Sequence, residues 1–247
     1  MSYLQAIILG LVQGLTEFLP ISSSGHLVIF QKLFALPEPP VLFDILVHLG
    51  TLGAIIFYFR KEWLKISKKT IYLIIVGTIP AAIVGLFLQN YITQIFNSLR
   101  LVGLALLFTS VLLFLTYRFK SLNRQFDKLN WRDALFIGIF QALAIIPGIS
   151  RSGATIVSAL GRKTERKTAF RFSFYLVVPA ILGALVLQIP DLIYSPCGYL
   201  GQGVLGMIIA GIIGYFALKI LERVLMKAKF WFFGFYCLVI GLIVFFS

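Results

Sequence analysis

Charge is scarce in this chain. Only 13% of its 247 residues are Asp, Glu, Lys or Arg, about half the share of an average soluble domain. Stretches such as 101–115 carry no charge at all. An ordinary soluble domain is therefore excluded, and a multi-span membrane protein is expected. Polar–apolar alternation is also missing from the apolar runs, which removes a β-barrel. Cysteine is limited to Cys197, in an expected loop, and Cys237, in an apolar span. Neither a disulfide framework nor a CxxC metal motif is present. The first residues lack a basic segment followed by a small-residue cleavage site, so a cleaved signal peptide is not expected. Acidic residues number nine against 22 basic ones, a net charge of +13. Those basic residues fall in short clusters between apolar runs, as in cytoplasmic loops, and not in the patch that nucleic-acid binding needs. No nucleic-acid partner is expected, and the bilayer is the expected surroundings.

What the chain does have is an internal repeat. A shift of 128 residues lays Ala6, Gly10, Gln13, Leu15, Ile21, Ser22, Ser24 and Gly25 on Ala134, Gly138, Gln141, Leu143, Ile149, Ser150, Ser152 and Gly153. With small drifts the match continues through Leu52-Gly53-Ala54 on Leu182-Gly183-Ala184 and Gly77 on Gly206 to Gly103 on Gly234. The 247 residues are read as a single membrane domain of two halves, about 1–118 and 131–247, joined by the polar linker 118–132.

Each half opens with a broken apolar segment. Residues 4–19 run into Pro20-Ile21-Ser22-Ser23-Ser24-Gly25-His26, and residues 134–146 into Pro147-Gly148-Ile149-Ser150-Arg151-Ser152-Gly153. The arm after each break is shorter than the roughly 20 residues of a full span, and Pro and Gly interrupt the helix. Each segment reads as a re-entrant helical hairpin. Three full spans follow in each half, near 41–59, 71–89 and 99–117, then 172–189, 203–219 and 231–246. If both hairpins return to their own side, loops 60–70, 118–132, 161–171 and 219–229 share one face and hold 19 of the 22 basic residues. The excess of Lys and Arg on the inner side places these loops in the cytoplasm and both termini outside. Three crossings per half invert the second half relative to the first. The expected fold class is therefore an all-α integral membrane protein with two inverted-topology repeats: six full spans and two re-entrant hairpins meeting near the midplane.

The breaks carry the polar chemistry. Gln13 and Glu17 are four apart on one helix face, just ahead of Ser22, Ser23, Ser24 and His26. The second break carries Ser150, Arg151, Ser152 and Thr155. Helix N-termini there would aim unpaired N–H groups at the centre, and a guanidinium grips phosphate oxygens with two parallel donors. These are the parts of an anion site suited to phosphate or pyrophosphate. Serines often only cap broken helices, and Arg151 has a snorkelling alternative. Insertion scales put an isolated charge at membrane depth at about 2.5–3.5 kcal/mol, so Glu17 and Arg151 in matching breaks are not expected to be idle. Asp44 and His48, also four apart, form a second candidate pair with an interfacial-cap alternative. The unequal division of acid, histidine and arginine between the halves suits an enzyme better than a symmetric channel.

At these residues the chain resembles the undecaprenyl-pyrophosphate phosphatase family, also called the bacitracin-resistance phosphatases. The first motif reads Gln13-Gly14-Leu15-Thr16-Glu17-Phe18-Leu19-Pro20-Ile21-Ser22-Ser23-Ser24-Gly25-His26, and the second runs from Pro147 to Thr155. The resemblance covers essentially the whole chain. It implies hydrolysis of a C55 isoprenyl pyrophosphate to the monophosphate, recycling the carrier lipid of cell-wall synthesis in the plasma membrane. It also implies dependence on a divalent cation, Mg²⁺ or Ca²⁺, and an active site open to the outer face. The first motif position is Glu or Gln in the family, and members with Glu there have two carboxylates; this chain has Gln13, leaving Glu17 as the main acidic metal candidate, helped by Gln13. Glu17, Ser23, His26 and Arg151 are the expected catalytic residues. Gln13, Ser22, Ser24, Ser150, Ser152 and Thr155 are the expected substrate contacts. Ser23 with His26 as its base, His26 itself, and a bound water all remain open as the nucleophile. A secondary transporter of an organic anion or lipid phosphate shares the broken-helix architecture. The oligomeric state is open, with a homodimer as the form to test.

Overall fold

The computed structural model describes residues 1–36, 41–87, 98–119, 122–194 and 199–246, so Cys197 lies outside the described residues. Among those residues the chain is helical and contains no strand. The helices are α1 (Tyr3–Phe18), α2 (Ser23–Leu33), α3 (Val41–Tyr58), the short α4 (Arg60–Trp63), α5 (Lys68–Phe87) and α6 (Leu99–Leu115). After the linker come α7 (Trp131–Leu143), α8 (Arg151–Gly161), α9 (Arg166–Tyr194), α10 (Leu200–Met226) and α11 (Phe232–Phe246). Five of them, α3, α5, α6, α9 and α10, are long and apolar enough to cross a membrane. The sixth expected span, α11, is helical but has only 15 residues, about 22 Å of rise. Two other expected spans are longer than the hydropathy pattern suggested, because Lys and Arg sustain a helix as readily as Leu does. The basic residues Arg166, Lys167 and Arg171 thus ride on α9, and Lys219 and Arg223 on α10.

Both breaks form where the sequence places them. α1 starts on a capping box in which the Ser2 hydroxyl accepts the Gln5 amide and the Gln5 side chain accepts the Ser2 amide. It stops at Leu19, whose extended backbone (φ −63°, ψ 146°) is what the following Pro20 favours. α7 starts on a second capping box, Asn130 with Asp133, and α8 resumes after Pro147-Gly148. Gly148 has φ +100°, a conformation that L side chains rarely adopt.

Small residues set the helix crossings. α1 lies against α10, where a Cβ on Gly10 would stand 2.9 Å from the Gly206 carbonyl oxygen. α7 lies against α5 in the same manner, with Gly138 on the Gly77 carbonyl. A third close crossing joins α6 to α11 at Gly103 and Gly241. Without a hydrophobic drive between helices in lipid, such backbone approach is what gives packing its contact energy. The interior holds a nest of rings from Phe18, Phe59, Phe170, Phe174 and Tyr175. Outward, Ile75, Ile79 and Ile83 on α5 and Val204, Ile208 and Ile212 on α10 form exposed apolar stripes at four-residue spacing. Continuous apolar stripes of this kind face lipid in an integral membrane protein.

The linker is fastened by one carboxylate. Asp133, in the first turn of α7 and outside the spanning helices, is fully buried. It accepts both ends of the Arg124 guanidinium at 3.1 and 2.6 Å, Arg162 Nε at 2.8 Å and the Asn130 amide at 3.1 Å. Burial raises its pKa, but the hydrogen bonds from Arg124 and Arg162 outweigh this and hold it below its ordinary value of 3.8. Its stabilisation is therefore complete above that ordinary value and is lost as pH falls through the lowered folded one. Asp133→Asn is expected to reduce the thermal stability of the detergent-solubilised protein by about 2 kcal/mol. That is less than for a fully buried pair, because both arginines are partly exposed. The acid dependence of the melting temperature should flatten in the variant; an unchanged melting curve across pH would refute this account of the linker.

Candidate functional site

Glu17 is the penultimate residue of α1 and is only 5% exposed. Three other elements, α2, α3 and α8, bring groups to its carboxylate, and Gln13 of α1 itself adds a fourth. Oε1 pairs with Nη2 of Arg151, the first residue of α8. Oε2 accepts the Gln13 amide at 3.0 Å and the Ser23 hydroxyl, at the start of α2, at 2.6 Å. Nε2 of His48 on α3 lies 3.8 Å from the same oxygen. Arg151 also reaches the Val177 carbonyl of α9 at 3.5 Å. Ser23 and Arg151 each open a helix, so both stand beside amides that the helix itself leaves unpaired.

Ser22 and Ser150 build the turns. The Ser22 hydroxyl accepts the Gly25 amide of its own hairpin at 3.3 Å and the Gly148 amide of the other at 3.1 Å. Ser22 holds φ +69° to do this, a left-handed conformation uncommon outside glycine. Ser150 caps α8 through the Gly153 amide at 3.1 Å. Thr109 of α6 locks the second turn, donating to the Gly148 carbonyl at 2.9 Å and accepting the Ser150 amide at 3.0 Å. Thr109 carried no motif and was not singled out from the sequence.

A cavity of about 750 Å³ opens from this point. Its polar end is lined by Glu17, Ser22, Ser23, Ser24, His48, Ser150 and Arg151, and its flank by apolar residues of α5 and α9 such as Ala81, Leu86, Ile181 and Leu185. Six of the expected catalytic and contact residues therefore meet on one cavity wall, and His48 joins them. The others do not line it. Thr155 is buried between the Arg151 carbonyl (2.8 Å) and the Ser173 hydroxyl (2.5 Å). Ser152 is buried beside Ser150, their hydroxyls 3.3 Å apart. Asp44 accepts Gln31 at 3.1 Å, and its carbonyl accepts His48 Nδ1–H at 2.7 Å. His26 is turned away from Ser23. Its Nδ1 lies 2.8 Å from the Ser22 carbonyl and its Nε2 lies 2.7 Å from the Tyr236 hydroxyl. A carbonyl only accepts, so Nδ1 carries the proton and Nε2 accepts from Tyr236. The base nearest the Ser23 hydroxyl is Glu17.

One lining residue escaped the sequence reading. Gln141 is 2% exposed, and neither atom of its amide has a partner among the described residues. Its alignment with Gln13 in the self-match was the signal available. For a metal, among the described residues no three His, Cys, Asp or Glu side chains gather into a cluster. The buried Gln13 Oε1 is, however, without a partner among the described residues, and the same amide is bonded to Glu17. One carboxylate at the polar end of the cavity, with an amide oxygen one turn behind it, is a donor set that suits a hard cation taking its remaining ligands from other oxygens.

The serines separate by role. Ser22→Ala strands two buried amides, each costing about 1–3 kcal/mol, so both thermal stability and activity should fall. Ser24→Ala should leave stability unchanged. Equal melting temperatures for the two variants would count against the hairpin-joining role of Ser22.

A sequence profile of the family described as bacitracin resistance protein BacA matches residues 6–243. The chain is 45% identical to an undecaprenyl-diphosphatase of Carboxydothermus hydrogenoformans, over 98% of this chain and 95% of that protein. It is 42% identical to an undecaprenyl-diphosphatase of Desulforapulum autotrophicum, over 98% and 97% of the two chains. Similarity to a third, of Alkaliphilus metalliredigens, is 40% over 99% and 98%. With a match of this extent to the profile and to relatives that carry the same name, the chain belongs to the BacA bacitracin-resistance family.

Proposed function

We propose that this protein hydrolyses undecaprenyl pyrophosphate to undecaprenyl phosphate and inorganic phosphate at the Glu17–Arg151 site, in the plasma membrane. The observation that carries the reading is one cavity with two characters. A polar end built from both helix breaks runs into an apolar flank formed by spanning helices, which suits a charged head on an isoprenoid tail. The names of the relatives point to the same substrate.

The geometry favours a particular division of labour. The terminal phosphate sits against Arg151 and the amides at the start of α8, which stabilise charge as it spreads over the phosphoryl oxygens. Ser23 attacks the terminal phosphorus and Glu17 takes the hydroxyl proton, for which it is already placed. The bond from that phosphorus to the bridging oxygen breaks, and the lipid monophosphate leaves. Water then attacks the phosphoserine, releasing inorganic phosphate and restoring Ser23. His48, whose Nε2 faces the site, is the imidazole available for proton transfer. His26, with both nitrogens occupied, instead holds the Ser22 turn. Glu17 and Gln13 Oε1 would hold a Mg²⁺ or Ca²⁺ ion, which would neutralise pyrophosphate charge.

The topology belongs to the same proposal. We read α1–α2 and α7–α8 as re-entrant hairpins in two inverted repeats, with the basic loops in the cytoplasm, the termini outside and the cavity open to the outer face. Two features support this. The 11-residue arms α2 and α8 are too short to span. The crossings of α1 on α10 and α7 on α5 use glycines that match each other in the self-alignment. With the native cysteines replaced, single cysteines at positions 65 and 163 should resist an impermeant thiol reagent in intact cells. Labelling of either from outside would sink the topology.

Purified protein in detergent should release phosphate from C55 pyrophosphate, and a chelator should stop it. A transporter without hydrolytic chemistry would release none. Arg151→Lys keeps the charge but loses the fork, and activity should fall on the order of 100-fold. Activity within threefold of the parent would show that Arg151 does not touch the phosphate.

A further inference from the structure

Gln141 has no work in the fold. Its amide is buried, yet among the described residues both the donor and the acceptor ends lack partners. Buried polar groups in folded proteins are almost always paired, because an unmade hydrogen bond leaves the desolvation cost uncompensated. The self-match explains how this amide came to be free. Gln13, its counterpart, donates to Glu17 four residues on. The residue four beyond Gln141 is Ile145, which accepts nothing.

Its position suggests what completes it. α7 touches α5 at Gly138 and Gly77, and Gln141, one turn past Gly138, lines the cavity together with Thr78, the neighbour of Gly77. The same wall continues into Ala81, Ala82 and Ile145, where the apolar flank begins. The groups that act on the terminal phosphate, Ser23, Glu17 and Arg151, come from other helices. Between the terminal phosphate and the first isoprene lies the phosphate that stays on the lipid.

We propose that Gln141 is the contact for this lipid-linked phosphate, donating from Nε2 to a non-bridging oxygen. The assignment rests on the reading of the cavity as a polyprenyl pyrophosphate site. Phosphate oxygens accept and do not donate when ionised, so the amide N–H is the end that binds. Oε1 is left for water that enters with the polar head. A neutral donor holds the substrate without the strong charge attraction that would also retain the monophosphate product.

The test uses Gln141→Leu in the full-length protein in detergent, after the parent has been shown to release phosphate from C55 pyrophosphate. A parent that releases none overturns the proposed function and leaves the contact without its substrate. With an active parent, removing an amide that has no protein partner should leave the melting temperature unchanged or raise it. KM for the pyrophosphate should rise about tenfold with kcat within threefold, as for loss of a hydrogen bond to a charged group. Inhibition by added polyprenyl monophosphate should weaken in parallel, while inhibition by inorganic phosphate stays the same. An unchanged KM, a loss confined to kcat, or weaker inhibition by inorganic phosphate would each overturn the assignment. A fallen melting temperature in both Gln141→Leu and the volume-matched Gln141→Met would mean that the amide supports the fold, and would overturn it too.

Discussion

The ion pair between Glu17 and Arg151 is the constraint on which the site depends. The two residues lie 134 positions apart, at the breaks of two separate helix pairs, and neither charge could be left alone in a water-poor interior. Their pairing brings the ends of α1 and α8 together, and with them Ser23 and the amides that open α2 and α8. It also gives substrate binding a chemical consequence. In the proposed reaction a phosphate would compete for the guanidinium, and an Arg151 turned to it would free the Glu17 carboxylate to accept the Ser23 proton. On that reading the pair is a resting state in which acid and base neutralise each other until an anion arrives.

That pair is held in register by neutral groups. Ser22 binds amides of both hairpins, Thr109 binds the Gly148 carbonyl and the Ser150 amide, and the Cys237 thiol lies 3.5 Å from the Pro20 carbonyl. Helix breaks expose backbone groups that lipid cannot satisfy, so each must find a partner within the protein. Besides the turns' own Ser22 and Ser150, those partners come from α6 and α11, the two helices joined at Gly103 and Gly241. Close packing of that pair thus supports both turns.

The helices and their breaks were legible in the sequence because apolar length, proline and glycine act locally. Residues 3–18 and 131–143 ended near where Pro20 and Pro147 required. Helix extension into the basic segments was not legible, since hydropathy marks the lipid-facing length and not where hydrogen bonding stops. α9 and α10 ran past it on Lys and Arg. In the site, Glu17, Ser23 and Arg151 stood out because charge and hydroxyls are rare in apolar segments. The partner of His26 did not, because Tyr236 is 210 residues away in a helix full of aromatics. With Tyr236 unseen, the three-residue spacing from Ser23 to His26 suggested a contact, whereas the ring is anchored to Ser22 and Tyr236. The spacing of His48 to Asp44 left a site pair and an interfacial cap both open, and the His48 ring is anchored to the Asp44 carbonyl. That anchor is also what points its other nitrogen at Glu17.

The two halves show how one site can arise from a duplicated motif. In the alignment that pairs Ser22 with Ser150, Ser23 falls on Arg151 and Glu17 on Ile145. The capping serines are kept in both halves because each break must satisfy its own amides. The reactive positions are not kept, and they differ in a complementary way. One half presents a carboxylate and a hydroxyl, the other a guanidinium and an apolar side chain. Two identical halves would set two carboxylates against each other in a buried space, at a high electrostatic cost. Replacing one Glu–Ser set by Ile–Arg turns that repulsion into the pair that closes the site. It also leaves Gln141 without the carboxylate that holds Gln13, so the residue next to the lost partner becomes free to bind something that is not part of the protein.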